Sequence, residues 1–547
     1  MTAAPNAASR ASSRISEERF RVLVADAIAG EGLEPLRADP HFELIVQPGL
    51  SGEALATAME SVDAVLVRSA TRITRESLAR ATRLKVIGRA GVGVDTIDVA
   101  AATERGIAVL TAPSGNTLSA AELTLALMLA VARRVAAADR SMHAGAWERK
   151  AFTGVELYGK TLGLVGAGRI GGEVARRARA FGMRVVAYDP FLTEERAHAL
   201  HVELAPLDDV LRQSDVVSVH VPLTDGTHGL VGARELGLLR PGAFLVNAAR
   251  GGVVDEQALV EALRTGRLAG AAVDVYAEEP LPADHPLRTL ESVVLTPHLG
   301  ASTVEAQHHV AIEIAEAVRL ALLEGDLSLA VNAPAVGSAA MRALRPMLDL
   351  AERLGRLATS LTDGPVTRLE VRYAGGVENA LRPLAASAMV GVLSVALGRS
   401  AVNFVNAMHL AETRGILVDR VELSTEGDYA ESLELRLTGV GAPTCVAGAL
   451  LEGAHSRVIR VNEHRVDIVP RGTLVVIRNR DVPGVIGHVG TVLGSAGINI
   501  AEYHQSRLEA GGEALAAIAV DGKLDATLVT ALRRLPEIVD VRQVQLD

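Results

Sequence analysis

Residues 163–190 read GLVGAGRIGGEVARRARAFGMRVVAYDP, and their order decides the fold. An apolar run suited to a buried strand leads into Gly166, Gly168 and Gly171, then into a stretch with helical spacing, then into a second apolar run that ends at Asp189. In such a unit the first glycine permits a tight turn and the second lets the backbone approach a pyrophosphate. The third lets helix and strand pack closely, and the helix N-terminus supplies positive potential. An acid at the place of Asp189 accepts both ribose hydroxyls and disfavours a 2′-phosphate, so the expected cofactor is NAD rather than NADP. With 51 glycines in the chain, GxGxxG alone would carry little. Strand, glycines, helix, strand and acid in that order carry the reading.

The same alternation runs outward in both directions. Upstream, RVLVADAI, DAVLVRSA, LKVIGRAGVGVD and IAVLTAP read as strands separated by helical stretches, and a long helical pattern, SAAELTLALMLAVARRVAAADRSMHAG, leads into the glycine motif. Downstream, VVSVHVPL, GAFLVNAA, AGAAVDVY and SVVLTPH continue a parallel sheet. The expected class is therefore α/β, with two Rossmann-like doubly wound parallel sheets. Small residues, Pro and Gly around VNAPAVGSAA read as a linker. Beyond it, residues 335–468 read as an α+β unit. The last segment, 472–547, reads strand, helix, strand, strand, helix, strand, a ferredoxin-like βαββαβ module.

Composition narrows the function. The 547 residues, 49% hydrophobic but only 3% aromatic, describe an aliphatic globular chain long enough for three or more domains. A formal charge of −10 argues against a nucleic-acid surface. No run is apolar enough to span a membrane, so no membrane partner is expected. Cys445, the single cysteine, excludes an intramolecular disulfide and a cysteine-cluster metal site, and fits a reducing, cytoplasmic setting. His308 and His309 fall on different faces of a helical pattern, and no metal is expected. Residues 1–18, rich in Ser, Ala and Arg without an apolar core, read as a disordered tail.

The chemistry is sought where strands end, because open α/β sheets bind ligands beyond the carboxyl ends of their strands. FLVNAARGG places Arg250 there, with Gly251 and Gly252 leaving room around it; DVYAEEP supplies Glu278 and Glu279; VVLTPHLGAST supplies His298. Each has a plain alternative: arginine is this chain's usual surface cation, an acid before Pro280 suits an exposed turn, and a histidine after Pro297 suits a strand end. Converging on a dinucleotide crevice, they have a joint role in hydride transfer. The histidine takes or returns the hydroxyl proton, a neighbouring glutamate stabilises the imidazolium, and the arginine holds a substrate carboxylate.

The run GRAGVGVDTIDVAAATERGIAVLTAPSGNTLSAAELTLALML, followed by WERKAFTGVELYGKTLGLVGAGRIG, NAARGGVVDE, DVYAEEPL and TPHLGAST, resembles the D-isomer-specific 2-hydroxyacid dehydrogenase family, in the long form that acts on D-3-phosphoglycerate. The resemblance covers most of residues 20–332. NFVNAMHLAETRGI is similar to that form's intervening domain, of allosteric substrate-binding type, and the C-terminal segment to its regulatory ACT domain. It implies a substrate domain of residues 19–118 plus 300–333, with a NAD domain of 119–299 inserted. It also implies Arg250 for the carboxylate, His298 for the proton and Glu279 for tuning. Around the substrate it implies Arg68, Ser69, Arg89 and Asn116. Around the cofactor it implies Arg169, Ile170, Thr227, Ala248, Asp274 and Gly300 besides the glycines, Asp189, Arg250 and His298. Arg149 and Lys150 resemble a basic contribution from a neighbouring subunit, and the family suggests a homotetramer. Val92 departs from the pattern, since many relatives carry threonine there. In the ACT segment Asp481 and Asn499 stand where L-serine would bind as effector, although Asn479 replaces a common aromatic. Two other functions compete: reduction of glyoxylate or hydroxypyruvate, and non-catalytic sensing of the dinucleotide.

Overall fold

The computed structural model describes residues 19–334, 336–424, 429–453 and 455–547. The tail expected at 1–18 and linker residue 335 lie outside the described residues. The first sheet has five strands, in spatial order Phe42–Val46, Phe20–Val24, Ala64–Val67, Val86–Arg89 and Ala108–Thr111. Every pairing is parallel. Apart from the edge strand Phe42–Val46, its strands are largely buried runs rather than alternating ones, because helices cover both faces. One cover comes from far along the chain: the helix Val304–Glu324 packs Ile314 and Val318 into the core with Leu66, Val86 and Leu110. The chain then stays on this sheet. Val331 N–H donates to the Val109 carbonyl, and the Asn332 side chain accepts from Val109 N–H at 2.8 Å and donates to the Ile107 carbonyl at 2.9 Å.

The second sheet has seven strands, all parallel, in the order Val293–Leu295, Leu268–Val273, Ala243–Asn247, Val216–Val219, Thr161–Val165, Arg184–Tyr188 and Glu203–Leu204. Counted in chain order this is the 3-2-1-4-5-6 Rossmann arrangement with one strand added beyond the sixth. The strand order reverses between Thr161–Val165 and Val216–Val219, and the crevice at that switch point opens toward the first sheet. The helix Thr117–Ala132 joins the two sheets, and Leu125, Met128 and Val131 enter the second core. The long helical pattern at this point is interrupted. Arg134 takes a left-handed conformation (φ 54°), and a separate helix, Val135–His143, follows. The Ala132 carbonyl accepts from Val155 N–H instead of continuing the ladder.

Residues 338–468 form a six-stranded sheet with one parallel pair at its edge, covered by the helices Ser338–Leu361 and Leu381–Leu397. These helices approach closely at glycines: a Cβ on Gly355 would overlap the Ala388 carbonyl, and one on Gly391 the Glu352 carbonyl. The C-terminal module is a four-stranded antiparallel sheet, in the order Ile500–Arg507, Glu513–Val520, Thr473–Arg480 and Ile538–Gln545, with helices Val485–Ser495 and Ala526–Arg533. Period-two alternation gives it two apolar faces. Val475, Ile477 and Ile518 meet its own helices, whereas Leu474, Val476 and Val544 join the core of the preceding unit. Arg356 is buried at that junction and donates to the Leu546 carbonyl at 3.0 Å, to Ser394 at 3.3 Å and to Glu352.

Candidate active site

The glycine motif makes the floor of the crevice. Gly166 has φ +95°, and a Cβ there would stand 2.9 Å from the His220 backbone. A Cβ on Gly171 would overlap the Gly166 carbonyl, while the position above Gly168 is open, leaving room for a phosphate at the N-terminus of the helix Arg169–Ala180. Asp189 follows the strand Arg184–Tyr188. One of its oxygens accepts from Ala167 N–H and the other from Phe191 N–H, both at 2.9 Å. Each oxygen keeps a lone pair for a hydroxyl, so the residues present fit a dinucleotide.

The reason for Arg250 at a strand end is visible in the loop that carries it. Asn247 fixes the turn, accepting from Ala249 N–H at 3.2 Å and donating to the Arg250 carbonyl at 3.1 Å. Gly251 passes so near Tyr276 that a Cβ would overlap its carbonyl. The guanidinium is thereby turned into the cleft between the two sheets. It donates through Nη1 to the Ala249 carbonyl at 2.6 Å, and its Nε lies 3.6 Å from Asp95.

His298 and Glu279 meet across the same cleft, with Nδ1 2.8 Å from Oε2. The other oxygen of Glu279 accepts from Tyr276 N–H at 3.0 Å, so the acid is anchored on its own strand end. His298 takes φ +56°, and its backbone N–H donates to the Asp274 carbonyl at 2.8 Å. Asp274 is fully buried beneath this turn, where its carboxylate accepts from Leu299 N–H (2.8 Å), Gly300 N–H (3.0 Å) and the Thr296 hydroxyl (2.6 Å). It holds the loop that presents the histidine.

A cavity of about 620 Å³ runs between the sheets, lined by Arg68, Ser69, Arg89, Val92, Asn116, Arg169, Ile170, Ala248, Arg250, Glu279, His298 and Gly300 among others. The structure thus brings together residues drawn from widely separated stretches of sequence. Arg89 Nε is buried without a partner, as is Asn116 Oδ1. Burial, and then the neighbouring Arg250, hold Arg89 below arginine's ordinary pKa. A buried cation beside two others is relieved by an anion, so this corner suits an anionic ligand.

Several expected residues stand apart from the cavity lining, among them Asp189 and the buried Asp274. Thr227 pins the loop after Val219, accepting from Thr224 N–H at 2.8 Å and donating to the Pro222 carbonyl at 2.5 Å. Arg149 and Lys150 lie exposed on a short helical turn, Arg149–Phe152. In the C-terminal module Asp481 is occupied by Arg507 at 2.9 Å and by Gly511 N–H at 3.3 Å. The Arg507 bond holds the carboxyl below its usual pKa range. Asn499 donates to Asp521 at 2.8 Å. Asn479 is fully buried, and its Oδ1 has no partner.

Sequence reasoning missed His220, which follows the strand Val216–Val219 and lines the cavity. Its Nε2 is 2.9 Å from the Ser218 hydroxyl, its Nδ1 is buried without a partner, and burial pushes its pKa down to about 4. The strand-end rule, applied to this strand as to its neighbours, would have found it.

A Rossmann sheet facing a second parallel sheet, with an arginine and a histidine–glutamate pair in the crevice, defines the D-isomer-specific 2-hydroxyacid dehydrogenase class, and residues 125–300 match the model of that family's NAD-binding domain. Residues 343–462 match the D-3-phosphoglycerate dehydrogenase intervening domain and 473–537 the ACT domain. The chain is 41% identical over 528 residues to a D-3-phosphoglycerate dehydrogenase of Synechocystis, covering 96% of this chain and 95% of that one. The Bacillus subtilis enzyme of the same name is 40% identical over 96% of this chain and 100% of its own. Among solved structures, a Thermus thermophilus protein (42% identity, TM-score 0.52) and a glyoxylate reductase of Paecilomyes thermophila (32%, 0.52) each match 57% of this chain, covering 100% and 98% of their own lengths. The chain belongs to the D-3-phosphoglycerate dehydrogenase family.

Proposed function

We propose that this chain oxidises D-3-phosphoglycerate to 3-phosphohydroxypyruvate. The observation that carries this reading is the His298–Glu279 pair set in a cleft that also holds Arg68, Arg89 and Arg250. NAD, when bound over Gly166–Gly171, supplies the hydride acceptor. Glu279 accepts a hydrogen bond from Nδ1–H of His298, and the Nε2 lone pair is thereby free to take the substrate hydroxyl proton. The imidazolium formed keeps the carboxylate as its partner. Arg250 holds the substrate carboxylate, and Arg68 and Arg89, with Ser69 and Asn116, take the phosphate. Arg169, Ile170, Ala248 and Gly300 line the cofactor's place. Asp189 takes the ribose, Thr227 fixes the adenine-side loop, and Asp274, buried behind Gly300, backs the carboxamide's place.

On this proposal the chain divides into a substrate domain (19–118 plus 300–333), a NAD domain (119–299), an intervening domain (335–468) and a regulatory domain (472–547). The protein is then a cytoplasmic homotetramer that feeds L-serine synthesis, with L-serine as effector at Asp481 and Asn499; the match to an ACT domain supports a small-molecule effector. Purified protein given D-3-phosphoglycerate and NAD should yield NADH and 3-phosphohydroxypyruvate in equal amounts. Absence of that product sinks the reading.

A further inference from the structure

Arg250 and Asp95 face each other across the interdomain cleft, the arginine from the strand end of the seven-stranded sheet and the aspartate from the loop after Val86–Arg89 in the five-stranded one. Gly93 lies between them: a Cβ there would overlap Arg250 Nη2 and lie 2.6 Å from Asp95 Oδ2, so a larger residue would push one of these two side chains aside. The pair is also weakly held: Asp95 is 61% exposed, and Arg250 Nε stands 3.6 Å from its Oδ2, beyond hydrogen-bond distance. Exposed ion pairs contribute little, whereas a carboxylate that meets the guanidinium fork with both oxygens is bound more firmly.

We propose that Asp95 is a positioning residue that stands in for the substrate's carboxylate. It holds Arg250 across the cleft and yields it when a 2-hydroxy acid enters. The inference rests on the reading of the cleft as a 2-hydroxy acid site. Two things follow from the geometry. The Arg250 guanidinium is kept extended between the domains, rather than folding away from Arg89 and Arg68, which repel it. The substrate, by replacing Asp95, inherits a bridge between the domains instead of building one. Asp95 therefore competes with every carboxylate ligand, phosphorylated or not, and leaves the dinucleotide floor untouched.

The test is binding, independent of turnover. Oxalate is titrated into the NADH-loaded protein, with NADH fluorescence as readout, for wild type, Asp95→Asn and Asp95→Glu. Removing a competitor of this kind should tighten oxalate by about two- to fivefold in Asp95→Asn, the range set by exposed ion pairs. Asp95→Glu, which keeps the charge, should stay near wild type, and NADH affinity should be the same in all three. In steady state, KM for 3-phosphoglycerate and for unphosphorylated 2-hydroxyglutarate should fall together in Asp95→Asn, while kcat does not rise. Unchanged or weaker oxalate binding in Asp95→Asn, or no oxalate binding to any of the proteins, overturns the proposal. Loss of turnover on every 2-hydroxy acid in wild type, with the oxalate pattern as expected, would instead remove the dehydrogenase reading.

Discussion

His298 Nδ1 lies 2.8 Å from Glu279 Oε2, and the two side chains reach that distance from different strand ends, each tied to backbone at its own base. The pair fixes the tautomer of the imidazole and points Nε2 at the cleft, the arrangement that oxidation of a hydroxyl group requires. His298→Ala should lower kcat by about 10²–10⁴-fold, the usual share of general acid–base catalysis. The dinucleotide should still bind, as read by a fluorescence titration with NADH. Near-normal turnover in a clean preparation would take the histidine out of the mechanism.

The two ends of the substrate should separate by mutation. Arg68→Ala should weaken kcat/KM for 3-phosphoglycerate far more than for 2-hydroxyglutarate, because only the first carries a phosphate. Arg250→Ala should weaken both. Parallel losses on both substrates for both variants would show that the ends are wrongly assigned.

Much of this site was legible in the sequence because one rule, ligands beyond strand ends, selects Arg250, Glu279 and His298 from chemistry-bearing residues elsewhere. The two parallel sheets and the βαββαβ module were legible for a similar reason: apolar runs and glycine turns are local signals. What escaped depends on contacts between distant stretches. Nothing local marks Val476 and Leu474 as facing a second core, or Arg356 as the buried donor to Leu546. The break at Arg134 answers to Val155, twenty-odd residues on, and the meeting of Asp95 with Arg250 exists only once the two domains face each other.

His220 links the cleft to acid stability. Its folded-state pKa, pushed down to about 4 by burial, lies below the histidine value of about 6.5. Between those values the unfolded chain binds the proton and the folded protein does not. The contribution of this residue to stability is therefore complete above about pH 6.5 and is lost as pH falls toward 4. Urea midpoints measured across that window should decline less steeply for His220→Asn than for wild type. Equal slopes would show that the ring is not kept neutral by the fold.

Serine sensing meets a specific obstacle, since Asp481 already pairs with Arg507. An amino-acid ligand must displace that guanidinium with its ammonium group. Calorimetry should detect L-serine binding to wild type and its loss in Asp481→Ala. No heat at millimolar serine, or equal binding by both proteins, would leave Asp481 as a residue of the turn.

The arginine corner makes the strongest demand on the account, because a generic 2-hydroxyacid dehydrogenase needs Arg250 but not Arg68 and Arg89 as well. The direct measurement is kcat/KM with NAD for D-3-phosphoglycerate against D-glycerate, which differ only in the phosphate. The account expects a preference for the phosphorylated acid of at least about tenfold, corresponding to 1.4 kcal/mol at the transition state. Equal efficiency on the two acids, or a preference for D-glycerate, would contradict it.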